Sequence, residues 1–202
     1  MIIHFIIQVR VGDIVNKTFA LKYAIKKHKG QYRKGSNAEY ITHPIGVCNY
    51  VNFYLKNLDN YELLEIVALL HDVVEDTNTS IDEIKKIFGD DVANLVYELT
   101  NDSIQKEKLG KVNYLGLKMS LMSDDALCVK LCDRLYNVRD TVNADENFRK
   151  TYLNETSEIL ETLLLSRKLN ENEQIILDDI IHSINNILSD DNYHKINLKK
   201  NA

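Results

Sequence analysis

One segment carries most of the information in this chain: Glu65-Ile66-Val67-Ala68-Leu69-Leu70-His71-Asp72-Val73-Val74-Glu75-Asp76. Its first half is apolar on almost every side, which is typical of a helix buried in a core. Its second half holds four ionisable side chains. His71 and Glu75 are four residues apart, as are Asp72 and Asp76, so we expect all four to project from neighbouring faces of one helical turn.

Such a cluster of carboxylates is costly to bury. Like charges repel, desolvated carboxylates need partners, and Glu75 and Asp76 lie near a helix C-terminus, where the macrodipole disfavours anions. A divalent cation would offset these costs, so the pattern indicates a metal site. The alternative is that the polar residues simply close the helix and face water, and the buried flanks disfavour that interpretation.

Two further segments hold candidate metal ligands. His43 directly precedes Pro44 at the start of a predicted helix, and Asp133 lies in a largely apolar helix. Together with His71 and Asp72 they make a mixed nitrogen and oxygen set, which suits Mn, Fe or Zn better than Ca.

Spacing alone does not bring these segments together, and each residue has another interpretation. A histidine in the position of His43, taken alone, is more often a helix cap or a core histidine. An aspartate in the position of Asp133, taken alone, more often forms an ion pair, here with Arg134 or Arg139.

The composition favours an all-α fold. The chain has 202 residues, a length that favours one domain, and one proline and seven glycines, too few for many strands and tight turns. Apolar periodicity predicts a bundle of about nine helices, the third spanning about Tyr61 to Asp76, with the polar stretch 101–111 as a loop. We expect a single domain over 1–202, with 1–13 an N-terminal extension and about 190–202 a flexible tail.

Charge and cysteine content exclude several classes of function. The net charge of −5 argues against nucleic-acid binding, which requires a basic surface, and no apolar run approaches the roughly 20 residues of a membrane span. The three cysteines are an odd number without the spacing of a disulfide framework. They indicate a reducing compartment, and therefore the cytoplasm.

Four motifs together resemble a known family: Arg33-Lys34-Gly35, Tyr40-Ile41-Thr42-His43-Pro44, Ala68 to Thr77, and Val129 to Asp140. They resemble the hydrolase domain of RelA/SpoT proteins in the HD-domain superfamily, and above all the stand-alone small alarmone hydrolases of the metazoan SpoT homologue (Mesh1-like) group. The resemblance covers about Val15 to Ile187.

The resemblance implies an HD-domain helical fold and a Mn²⁺-dependent hydrolase. Its substrates would be the guanosine alarmones ppGpp and pppGpp, small molecules that lose the 3′-pyrophosphate to give GDP or GTP. It also implies roles for individual residues: His43, His71, Asp72 and Asp133 hold the metal, Glu75 and Asp76 act on the attacking water, and Arg33, Lys34 and Asn137 contact the nucleotide.

Two alternatives stay open from the sequence. One is a hydrolase of another phosphorylated nucleotide such as NADPH, which also carries a phosphate on a secondary ribose hydroxyl. The other is a nucleotide-binding regulatory domain without activity, and the intact pair of Glu75 and Asp76 argues against it.

Overall fold

The structure is a computed structural model that describes residues 16–34 and 37–190. The predicted extension at 1–13 and the predicted tail beyond residue 190 lie outside these residues. Within the described ranges the chain forms eleven α-helices and a 3-10 turn, Thr141–Asn143. The helices are α1 (Lys17–Lys27), α2 (Thr42–Leu55), α3 (Tyr61–Leu70), α4 (Val73–Asp76), α5 (Ile81–Phe88), α6 (Asp90–Leu99), α7 (Ser103–Leu109), α8 (Lys111–Leu121), α9 (Asp124–Asp140), α10 (Glu146–Ser166) and α11 (Glu171–Asp190).

The predicted all-α bundle is confirmed. In the part of the chain that the structure describes, the only β-type pairing is an isolated bridge between Tyr32 and Glu39. The helices number two more than the nine of the prediction for two local reasons. One predicted helix is divided into α3 and α4, and a predicted loop contains α7.

The division between α3 and α4 falls at His71 and Asp72. We predicted one helix from Tyr61 to Asp76, and the structure instead ends α3 at Leu70 and begins α4 at Val73. The imidazole of His71 turns back, and its Nδ1 lies 2.7 Å from the carbonyl oxygen of Ala68. A side chain that inserts into the backbone hydrogen bonds of a helix in this way interrupts it.

The prediction of a loop over 101–111 is wrong, because these residues contain α7. The carboxylate of Asp102 caps this helix by accepting hydrogen bonds from the backbone N–H groups of Ile104 and Gln105, at 2.9 and 3.1 Å. Gly110, with a φ of 78°, follows the last residue. None of the residues of α7 is buried, so the sequence shows no apolar periodicity there.

The helix at the centre of the fold is α9, which is buried from Ala126 to Leu135. Helices α2, α3, α6 and α11 pack around it. The approach of α2 to α9 is close at Gly46, where a Cβ atom would lie 1.9 Å from Cε2 of Tyr136. This packing brings the first turn of α2, the α3–α4 junction and the middle of α9 to one place.

Candidate active site

The structure brings together the four predicted metal ligands. His43 Nε2 lies 3.2 Å from His71 Nε2, 3.2 Å from Asp133 Oδ1 and 3.3 Å from Asp72 Oδ2. His71 Nε2 lies 3.1 Å from Asp72 Oδ2 and 3.8 Å from Asp133 Oδ1. Both histidines and Asp133 are buried. Two imidazole nitrogens and two carboxylate oxygens therefore surround one point.

The hydrogen bonding of His71 fixes which of its nitrogens is available. Its Nδ1 is placed to donate to the carbonyl of Ala68, which leaves the lone pair of Nε2 directed at the cluster. His43 presents its own Nε2 there, while its Nδ1 is buried without a hydrogen-bond partner among the described residues. Two acceptor nitrogens facing each other beside two carboxylates fit a divalent cation well.

The charges of the cluster have large effects on its pKa values. Burial by itself would lower the pKa of His71, but the carboxylates of Asp72 and Asp133 outweigh burial and raise that pKa to about 9. Burial would raise the pKa of Asp72, and the two histidines hold it well below its usual range. The cluster thus favours positive charge at its centre, as a cation-binding site requires.

Three neighbouring side chains orient the carboxylates. The ammonium of Lys130 donates to Asp133 Oδ2 at 2.8 Å, and the amide of Asn137 donates to Asp133 Oδ1 at 2.6 Å. The hydroxyl of Tyr40 donates to Asp72 Oδ2 at 2.6 Å. These contacts restrict the ligand oxygens to one arrangement.

The sequence analysis missed Lys130. The ion pairs considered there were with Arg134 and Arg139, whereas Arg134 contacts Tyr152 and Arg139 pairs with Asp179. A lysine three residues before Asp133 on the same buried helix is a signal that could have identified the pair.

The two predicted catalytic carboxylates have different surroundings. Asp76 lies on the wall of a cavity. Burial raises the pKa of Asp76, the nearby hydroxyl of Tyr40 opposes this, and the charge of Asp72 adds to the rise. Glu75 is exposed and accepts hydrogen bonds from Asn101, from the backbone N–H at 3.1 Å and from the side-chain amide at 2.9 Å. Both residues are exposed, and of the two only Asp76 lines the cavity.

The cavity has a volume of about 810 Å³, and Arg33, Lys34 and Asn137 all line it. The guanidinium of Arg33 donates to Asp140 Oδ2 at 2.7 Å and to Asn137 Oδ1 at 3.1 Å. Lys34 is exposed. The structure thus places the three predicted nucleotide contacts and Asp76 on one surface, next to the metal-ligand cluster.

Comparisons with known proteins show which proteins this chain is similar to. The HD domain family matches residues 20–168. The guanosine-3′,5′-bis(diphosphate) 3′-pyrophosphohydrolase MESH1 of Xenopus tropicalis is 42% identical over 125 residues, which span 60% of this chain and 66% of that protein. Its Drosophila melanogaster counterpart is 35% identical over 167 residues, which span 79% of this chain and 89% of that protein.

A solved structure shares the fold. It is described as a metazoan orthologue of SpoT that hydrolyses ppGpp, and it aligns with a TM-score of 0.70 and 33% identity over 82% of this chain and 93% of its own. Among the described residues, no helix is both long and apolar enough to cross a bilayer.

Proposed function

The chain belongs to the HD domain family, and we propose that it is a metal-dependent hydrolase that removes the 3′-pyrophosphate of ppGpp and pppGpp. One observation carries the proposal: four convergent ligand atoms of His43, His71, Asp72 and Asp133 adjoin a cavity that holds Arg33. A cation site next to a nucleotide-sized cavity suits phosphoryl transfer, which depends mainly on positioning and charge neutralisation.

We propose Mn²⁺ as the ion, held by the two imidazoles and by Asp72 and Asp133. When bound, it supplies charge that neutralises a phosphate oxygen and makes a nearby water more acidic. The protein's part is to direct Nε2 of His71 inward through the contact of its Nδ1 with the Ala68 carbonyl, and to hold Asp133 by Lys130 and Asn137.

The reaction itself is assigned to the residues of α4. Water attacks the phosphorus that is joined to the ribose 3′-oxygen, and the bond between that phosphorus and O3′ breaks. Asp76, on the cavity wall, accepts the proton of the water and returns one to the leaving O3′. Its raised pKa suits a group that takes and gives protons. Glu75 positions the water, and its carboxylate is held by the side-chain amide of Asn101 at 2.9 Å.

The nucleotide is held by the basic side of the cavity. Arg33 and Lys34 contact the nucleotide, and Asn137 connects Arg33 to Asp133. On a chain with a net charge of −5, these two cationic side chains offset the carboxylates of Asp76 and Asp140 on the same wall and so reduce the repulsion of a polyanionic substrate. We also propose a cytoplasmic location, supported by three buried free thiols, Cys48, Cys128 and Cys132.

Metal content and a nucleotide panel test this proposal together. The purified protein is loaded with Mn²⁺, analysed for metal, and incubated with ppGpp, pppGpp and NADPH. We expect one ion per chain and hydrolysis of both alarmones. Asp133→Ala should lose the ion and the activity, whereas Asp179→Ala, which removes a carboxylate paired with Arg139 instead, should keep both.

Two outcomes would contradict the proposal. Full metal content in Asp133→Ala would refute the ligand assignment. Phosphate release from NADPH without hydrolysis of either alarmone would favour the dinucleotide alternative.

A further inference from the structure

One face of α9 connects the metal-ligand cluster to the far end of the cavity. Asp133, Asn137 and Asp140 follow one another at intervals of four and three residues, so they lie on the same side of the helix. Seven residues advance an α-helix by about 10 Å. This separation is comparable to the length of a nucleoside, measured from its 3′-phosphate to the far edge of the base.

A continuous chain of hydrogen bonds runs along this face. Asn137 donates to Asp133 at 2.6 Å and accepts from Arg33 at 3.1 Å, and Arg33 also donates to Asp140 Oδ2 at 2.7 Å. Arg33 thereby holds the Asp140 carboxylate in place at the cavity wall. The side chain of Asp140 remains 38% exposed, so a ligand in the cavity can reach it.

The charge of Asp140 indicates which part of a nucleotide lies beside it. A carboxylate repels phosphate groups, so the phosphates are placed at the other end, near the metal-ligand cluster. Beyond Asp140 the residues that line the cavity are uncharged: Thr141, Asn143, Ala144, Phe148 and Tyr152. This end is suited to the uncharged part of the substrate, which is its base.

We propose that Asp140 is a specificity-determining residue that recognises guanine by accepting hydrogen bonds from its N1–H and 2-amino groups. The inference rests on the proposed function, because it needs the 3′-phosphorus at the metal-ligand cluster. Guanine presents two adjacent donors to a carboxylate. Adenine presents an unprotonated N1 at the same position, which a carboxylate repels.

The contact is tested by removing the 2-amino group from the substrate and the carboxylate of Asp140 from the protein. We compare kcat/KM for ppGpp with that for its inosine counterpart, which lacks only the 2-amino group, in the wild type and in Asp140→Ala. In the wild type, loss of one hydrogen bond to a charged acceptor should lower kcat/KM by about 10- to 100-fold. In Asp140→Ala the two substrates should react equally well. Asp140→Ala also removes the partner of Arg33. A displaced Arg33 would change kcat/KM for both substrates alike, so this effect cancels from the ratio of the two values.

Two further variants complete the experiment. Asp140→Asn keeps the shape and a neutral acceptor, and should give a ratio between those of the wild type and Asp140→Ala. Asp179→Ala is the matched control, since Asp179 forms the equivalent pair with Arg139 at 2.6 Å away from the cavity, and it should keep the wild-type ratio.

The outcomes separate the two proposals. The same guanine-to-inosine ratio in the wild type and Asp140→Ala overturns the assignment of Asp140 and leaves the proposed function intact. Wild-type protein that contains metal and hydrolyses neither nucleotide overturns the proposed function, and this inference with it.

Discussion

Replacing Gly46 by alanine should both destabilise the fold and weaken nucleotide binding. The added Cβ would lie 1.9, 2.4 and 2.8 Å from three ring atoms of Tyr136. Carbon atoms in contact are ordinarily about 3.5–4.0 Å apart. The ring, or the whole of α2, must therefore move by roughly 2 Å to restore ordinary van der Waals contact.

The size of the effect follows from what Tyr136 contacts. Overpacking of this kind costs about 1–3 kcal/mol, which for about 200 residues lowers Tm by roughly 2–12 °C. The ring of Tyr136 also lies 5.1 Å from that of His43 and 5.8 Å from the guanidinium of Arg33. This cation–π contact, worth about 0.5–1 kcal/mol, helps to hold Arg33 in the cavity, so its loss should raise KM by at most about two- to five-fold.

The assay is thermal unfolding together with steady-state hydrolysis of ppGpp. Gly116→Ala is the control, because its Cβ would lie 2.5 Å from Cβ of Thr162, between α8 and α10 and outside the cavity. It should lower Tm without changing KM. Wild-type Tm and KM in Gly46→Ala, or an equal rise of KM in both variants, would refute the reasoning.

Three other results are expected. Glu75→Gln should retain its metal and lose most of its turnover, and wild-type rates in both Glu75→Gln and Asp76→Asn would contradict the assigned roles. Arg33→Ala should raise KM more than it lowers kcat, as steady-state kinetics at constant metal content would show. Burial and the charge of Lys130 lower the pKa of Lys118 to about 8 from 10.5, so between those pH values this side chain binds more protons in the unfolded chain and its own contribution to stability rises with pH. In urea unfolding, the free energy of unfolding of the wild type minus that of Lys118→Met should therefore rise over this interval.

Local patterns in the sequence predicted most of the helices. The buried α3 and α9 stand out because their apolar residues recur on almost every side. The break after Leu70 was missed because it depends on how the side chain of His71 turns back to Ala68. The helix α7 was missed because it has no buried side. The sequence signals for this helix are limited to the capping residue Asp102 and the glycine that follows its last residue.

The candidate site was predictable only in part. Its residue types and the spacing of His71 and Asp72 indicated a metal. The packing of α2, α3 and α9 against one another could not be predicted, because it is a tertiary contact that local sequence patterns do not show. The same applies to the pair of Arg33 and Asp140, which are 107 residues apart in the chain. Contacts of that kind decide specificity, and they became visible only in the folded structure.

The central claim is that water attacks the phosphorus joined to O3′. It is tested most directly by measuring which product receives the oxygen atom of the water. A single turnover of ppGpp with the Mn²⁺-loaded protein in water carrying heavy oxygen should give GDP and intact pyrophosphate, with the heavy oxygen in the pyrophosphate and none in the GDP. This pattern requires attack on the phosphorus joined to O3′. Release of single phosphates, or heavy oxygen in the GDP, would contradict the account.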